Sequence, residues 1–253
     1  MRAKARRSEF IMRTILTVVF LFVFFVISIP IFLIEYIIGK FNHRKMVASS
    51  QAIVVGAFHV MFIIGGIKRT VIGRENVPKN EAVLYVANHR SNFDVPVAYS
   101  SLPTLTGFMA KKEIEKIPFL STWMRFLQCL FLDRDDIRQG LKTILKGIEQ
   151  INAGYSIFIS PEGTRSHGKD MLPFKEGSFK MAEKTGCAII PVSISNTDEL
   201  FENHFPWIHS AHVIIEFGNP IYPWDLSKDQ SKFLGTYVQG IIRETLEKNS
   251  SLI

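Results

Sequence analysis

Cysteine is nearly missing from this chain: Cys129 and Cys187 are the only two among 253 residues, and both sit inside apolar runs. Two thiols exclude a disulfide framework or a four-ligand zinc cluster as a main stabiliser, and they point to a reducing, cytoplasm-facing setting. Acidic residues are in the minority, 23 against 30 lysines and arginines, for a formal net charge of +7. That balance suits an anionic partner such as nucleic acid, a membrane surface or a phosphorylated substrate. Nucleic acid finds no further support, because the basic residues are dispersed and no basic run is interleaved with aromatics. A Gly-x-Ser-x-Gly elbow is absent, so no serine stands out as a nucleophile of the hydrolase type. His43, His59, His167, His204, His209 and His212 show no metal-ligand spacing. The close pair His209 and His212 reads as structural, in a turn before a strand, and no metal or cofactor is expected. Internal repeats and low-complexity tracts are also missing.

Apolar residues, by contrast, make up 47% of the chain, with 21 phenylalanines, and they are unevenly placed. Residues 14–34 carry no charge, about the 20 residues a helix needs to cross a bilayer core. The run is long for a signal peptide, Pro30 interrupts it, and no small-residue cleavage site follows. No polar face is present, which argues against a buried core helix. A second uncharged stretch, residues 46–67, follows at once. Arg2, Lys4, Arg6, Arg7 and Arg13 precede the first run, and Lys40, Arg44 and Lys45 follow it. Basic residues tend to stay on the cytoplasmic side, which one straight span cannot satisfy at both ends. Two arrangements remain, a spanning hairpin and a pair of helices embedded in one leaflet. The basic turn favours the second, and both leave the rest of the chain on the cytoplasmic face of the cell membrane. Residues 1–67 are therefore expected to form a membrane-anchoring two-helix segment, and residues 68–253 a separate domain.

From Lys68 onward the pattern changes. Short β-rich runs occur at 69–72, 82–87, 106–110, 129–132, 156–160, 188–194 and 212–217. Helical periodicity lies between several of them, most clearly in Ile137, Leu141, Ile144, Leu145, Ile148 and Ile151, closing at Gly154. Further helices are expected over 177–184, stopping at Gly186, and over 231–248. Such alternation predicts an α/β fold, a single mixed sheet flanked by helices.

Three loops that follow predicted strands hold the chemistry. The first reads NHRSNFD, with His89 leaving the strand and Asp94 five residues on. Ser91 or Asn92 can cap a new helix there, with Pro96 in its first turn. A carboxylate at that helix start is favoured by the dipole and can bind one imidazole nitrogen, freeing the other as a general base. The bland alternative is a His and an Asp that merely share a polar loop. The second loop, SPEGTRS, offers Glu162, Gly163 for close backbone approach, the Thr164 hydroxyl and Arg165 for bidentate phosphate binding. The third, AKKEI, offers Lys111 and Lys112 as point charges. Solvated turns would explain either of these two alone, but loops at the carboxyl ends of neighbouring strands converge on one crevice.

NHRSNFD, AKKEI with the later LFLDRDD, SPEGTRS and IIPVS resemble, in order, the four motif blocks of the glycerolipid acyltransferases. With its short length and two-helix anchor, the chain is most similar to the bacterial type acting on 1-acylglycerol 3-phosphate. The resemblance covers the anchor and residues 68 to about 220. It implies acyl transfer from acyl-CoA or acyl carrier protein to the sn-2 hydroxyl of lysophosphatidic acid, giving phosphatidic acid within a membrane lipid setting. It also implies that His89 is the general base and Asp94 its orienter. Arg165 with Lys111, and Lys112 beside it, would bind the acceptor phosphate, while Glu162, Gly163 and Thr164 form the same substrate loop. Asp133, Arg134, Pro191, Lys175 and Gly177 match further block positions. Ser160, Ser121 and Cys129 depart from the usual residues, which leaves the acceptor's identity open. The alternatives are acylation of another lysolipid or amino-lipid and, more distantly, a non-catalytic membrane-anchored basic binding module.

Overall fold

The computed structural model describes residues 2–166, 168 and 170–253, with side chains from Ser8 onward. The side chains of Arg2, Lys4, Arg6 and Arg7, and all of His167, lie outside the described residues.

The two apolar runs form helices α1 (Arg2–Phe41) and α2 (His43–Gly65), both long and apolar enough to cross a membrane. Only Asn42 separates them; its side chain accepts the Lys45 N–H at 2.9 Å and starts α2. Gly66, in the left-handed region with φ 65°, ends it. In α1 the usual amphipathic order is inverted. Its polar Thr17, Ser28 and Glu35 are buried against the protein, while Leu16, Val19, Phe22, Val26 and Leu33 face outward. A helix in water would show the opposite pattern.

Next come β1 (Lys68–Ile72), β2 (Leu84–Ala87), α3 (Asp94–Tyr99), β3 (Thr106–Lys111), α4 (Leu120–Phe126), β4 (Leu130–Leu132) and α5 (Ile137–Asn152). The chain closes with β5 (Ser156–Ile159), α6 (Lys180–Thr185), β6 (Ile189–Ser195), β7 (His212–Phe217), α7 (Lys228–Lys232) and α8 (Leu234–Asn249). The strands form one seven-stranded sheet in the order β1-β7-β6-β2-β5-β3-β4. All neighbours are parallel except β6 and β7, so β1 and β7 run against the rest and the sheet is mixed. Alternate side chains feed two cores. Tyr85, Ala87, Phe158, Ile190 and Val192 pack with α2, α3 and α4 on one face, and Leu84, Val86, Ile157 and Ile159 pack with α5, α6 and α8 on the other.

Several expected boundaries shift. The 177–184 helix opens as a 3-10 turn, Glu176–Phe179, before α6, and the last helix divides at Phe233 into α7 and α8. Gly154 does follow α5, with φ 84° and its N–H on Ile151 O at 2.9 Å. Within α5, Ile137, Leu141 and Leu145 stay exposed, so the apolar stripe is wider than the face that packs on the sheet.

Candidate active site

The chain leaves β2 through α3 on one face of the sheet and leaves the neighbouring β5 through α6 on the other. This divergence opens a crevice at the carboxyl ends of the two strands, where open α/β sheets place their ligands. The NHRSNFD loop follows β2 and the SPEGTRS loop follows β5, so both enter the crevice side by side.

Asn88 fixes the first loop. Its buried amide donates to Ile194 O at 2.9 Å and accepts from Ile194 N at 2.8 Å, acting as an extra strand pair between β2 and β6. His89 follows, with Nδ1 2.8 Å from Asp94 Oδ2. The same oxygen accepts the N–H groups of Arg90 at 2.7 Å and Ser91 at 2.8 Å, and Thr197 Oγ1 donates to Oδ1. Asp94 is buried, whereas the His89 side chain is about a quarter exposed, at 23%. With Nδ1 held by the carboxylate, Nε2 is the nitrogen that no described residue engages, and it is available to a substrate.

The expected side-chain cap by Ser91 or Asn92 is not formed. Phe93 takes the cap position of α3, and Asp94 is the first helical residue. Ser91 serves the turn just ahead of the helix instead: its hydroxyl accepts the Phe93 N–H and donates to Glu202, which also accepts the Asn92 backbone N–H at 2.8 Å.

Glu162 ties the two loops together. One oxygen accepts the His89 N–H at 2.6 Å and the other the Leu172 N–H at 2.8 Å. Ser166 adds a second tie, its N–H and hydroxyl both reaching His89 O. Burial raises the Glu162 carboxyl above the usual range, against the two N–H bonds, which pull it down. Gly163 has φ 76°, which a residue with a side chain would strain, whereas the nearest neighbour of a Cβ there is the flexible end of Lys175, which can move aside. Thr164 is exposed beside it. Arg165 Nη1 lies 3.1 Å from Glu202 Oε1.

The site residues therefore divide. His89, Asp94, Glu162, Gly163 and Arg165 are joined through these two loops, and Thr164 lies on the second. Lys111 ends β3, one strand beyond β5, and Lys112 follows it; they pair with Glu113 and Asp133 respectively, each at 2.9 Å. They share the sheet's carboxyl edge with the dyad but have no recorded bond to it. Thr197 and Glu202 carry no motif of their own; their one signal in the sequence is that both follow β6, which ends at that edge. His212 opens β7, where its Nε2 meets Thr70 Oγ1 at 2.8 Å, and the His209 ring stacks between Phe10 and His204. A cleft of about 890 Å³ lined by Arg90, Ser166, Glu202 and Arg243 backs onto these loops without reaching His89.

Residues 68–195 match the family model described as Acyltransferase. The chain is 31% identical over 194 residues to the 1-acyl-sn-glycerol-3-phosphate acyltransferase of Saccharomyces cerevisiae, covering 76% of this chain and 64% of that one. It is 33% identical over 184 residues to the enzyme of that name in Borreliella burgdorferi, covering 73% and 74%. Among solved structures, the 1-acyl-sn-glycerophosphate (LPA) acyltransferase PlsC of Thermotoga maritima superposes with a TM-score of 0.81 at 25% identity, over 97% of this chain and 98% of the other.

Proposed function

Because the chain belongs to the acyltransferase family, we propose that it transfers a fatty acyl group from an acyl thioester to the sn-2 hydroxyl of 1-acyl-sn-glycerol 3-phosphate, making phosphatidic acid. The observation that carries this reading is the His89–Asp94 pair at 2.8 Å, beside Arg165, at the carboxyl edge of β2 and β5. The relatives in yeast and Borreliella and the Thermotoga structure bear names for this reaction.

The chemistry follows from the geometry. His89 Nε2 accepts the proton of the acceptor hydroxyl as its oxygen attacks the thioester carbonyl. The imidazolium that forms is stabilised through Nδ1 by Asp94. When the tetrahedral intermediate collapses, the C–S bond breaks and the imidazolium returns its proton to the leaving thiolate. The ester and a free thiol are the products, and the histidine ends as it began. Arg165 holds the acceptor's phosphate, with Lys111 and Lys112 adding positive charge along the same edge. The formal charge of +7 favours the approach of a phosphorylated acceptor, and of coenzyme A or an acidic carrier as donor.

The outward apolar face of α1 lies in lipid on this reading, and the catalytic residues work at the cytoplasmic surface. α1 rests on the domain along its length: Trp123 Nε1 donates to Ser28 Oγ at 2.9 Å, and Ile208 N–H donates to Thr14 Oγ1 at 2.8 Å. That contact favours a pair of helices embedded in one leaflet.

A panel of lysolipid acceptors, read by thiol release from acyl-CoA in detergent micelles, tests the function. Lysophosphatidic acid is expected to lead the panel, and Arg165→Ala to raise its KM about ten- to a hundredfold, the scale of a charged hydrogen bond. The donor KM should hold. Equal turnover of the dephosphorylated acceptor would reject the phosphate assignment, and no thiol release with any acceptor would reject the enzyme.

A further inference from the structure

Glu202 lies in the 3-10 turn Glu202–His204, outside both motif loops, yet its carboxylate binds to each of them. Oε1 accepts from Arg165 Nη1 at 3.1 Å and from Asn92 N at 2.8 Å, and Oε2 accepts from the Ser91 hydroxyl. A guanidinium, a backbone N–H and a hydroxyl converging on one anion form the donor set of an oxyanion site. The cradle is reachable, since the Arg165 side chain is 34% and that of Glu202 16% exposed. It adjoins the base, because Ser91 and Asn92 are two and three residues beyond His89.

We propose that Glu202 is a built-in stand-in for the acceptor's phosphate, held in this cradle until a phosphomonoester headgroup displaces it. The proposal rests on the reading of Arg165 as the phosphate ligand. A carboxylate and a dianionic phosphate cannot share one guanidinium at this range without strong repulsion. A headgroup phosphate therefore competes with Glu202 for Arg165. The segment carrying Glu202 is anchored by the buried Leu200, while the Glu202 side chain itself is 16% exposed. It consists of two short 3-10 turns, Asp198–Leu200 and Glu202–His204, with Phe205 73% exposed at its tip. Its ends are fixed, by Thr197 on Asp94 and by Ile208 on Thr14 of α1.

This arrangement has two consequences. In the empty site, Glu202 keeps Arg165 aimed and bridges the two loops. During selection, a dianionic phosphomonoester competes with the carboxylate better than a monoanionic phosphodiester or a neutral headgroup. Glu202 thus determines specificity, while His89 performs the chemistry.

Glu202→Gln tests this in the full-length chain in detergent micelles, because it keeps the size and one acceptor oxygen but removes the charge. The KM for lysophosphatidic acid is expected to fall roughly three- to tenfold. Inorganic phosphate should inhibit at correspondingly lower concentration, and discrimination against a lysophosphodiester acceptor should narrow. An unchanged or raised KM would reduce Glu202 to a clamp and overturn the proposal. If the variant does not unfold cooperatively, hydrogen exchange of the wild type decides. Faster exchange across 198–205 on adding lysophosphatidic acid supports displacement, and unchanged or slower exchange overturns it. If the wild type transfers no acyl group to lysophosphatidic acid, the proposed function fails. If it does, and Arg165→Ala raises KM while Glu202→Gln does not lower it, this inference alone fails.

Discussion

Glu162 Oε1 accepts the backbone N–H of His89 at 2.6 Å, so the loop after β5 holds the start of the loop after β2. His89 is thus positioned by a residue from another strand, and the two motif blocks act as one structural unit. Because both Glu162 oxygens are engaged with backbone N–H groups, its part is to hold the crevice together.

The burial of this carboxyl has a pH signature. Burial raises the folded-state value of the Glu162 carboxyl above its unfolded one. The carboxyl's stabilising contribution is therefore full below about pH 4 and is lost as pH rises through the raised folded value. Glu162→Gln cannot titrate, and its single carbonyl oxygen can serve only one of the two N–H groups. It should cost about 1–3 kcal/mol through the unsatisfied group. In a series of thermal melts, the gap between wild type and variant should be widest at low pH and narrow towards neutrality. A gap independent of pH would mean that the carboxyl titrates alike in the folded and unfolded chain.

The dyad separates rate from architecture. His89→Ala removes the proposed base and should lower kcat by roughly 10²–10⁴ while leaving Tm nearly unchanged. Asp94→Asn should lose less rate, since Nε2 still faces the substrate, but it should also lower Tm. Its oxygens accept from Arg90 N, Ser91 N and Thr197 as well as from His89, and an amide nitrogen cannot replace one of them. Near wild-type turnover by His89→Ala would reject transfer through this histidine.

Strand periodicity was legible because both faces of the sheet are covered, so short apolar runs bounded by turn residues stand out. The first and last strands expected, 69–72 and 212–217, fall within β1 and β7. α4 was not legible: Leu120–Phe126 is too short to show a period, and its helix is supported by Trp123 packing against Phe24 and Phe32 of α1. The meeting of His89 with Asp94 was readable from their spacing, and the approach of the Arg165 loop from the strands the two loops follow. Thr197 and Glu202 were not, since they meet Asp94 and Arg165 across 103 and 37 residues of chain. Neither sits in a motif of its own, and only the sheet order brings them to the crevice.

The placement of the turn between α1 and α2 gives the sharpest test of the anchor. At about 1.5 Å per residue, the 40 residues of α1 extend to roughly 60 Å, twice a bilayer core. In a spanning hairpin the turn would emerge on the far side of the membrane from the catalytic domain. Yet His43, just past the turn, lies 3.1 Å from the Tyr155 hydroxyl and 3.3 Å from Gln128 Nε2. The opposite end of α1 is tied to Ile208, and its middle to Trp123. Start, middle and end of the helix all touch one domain, so the turn cannot be a membrane thickness away from it. Phe41 is 87% exposed, which makes it a good reporter. A Phe41→Cys variant lacking the two native thiols should resist a membrane-impermeant maleimide in intact cells and react once they are permeabilised. Labelling of intact cells would establish the spanning hairpin, and the contacts of α1 with Trp123 and Ile208 would then have to break when the protein inserts.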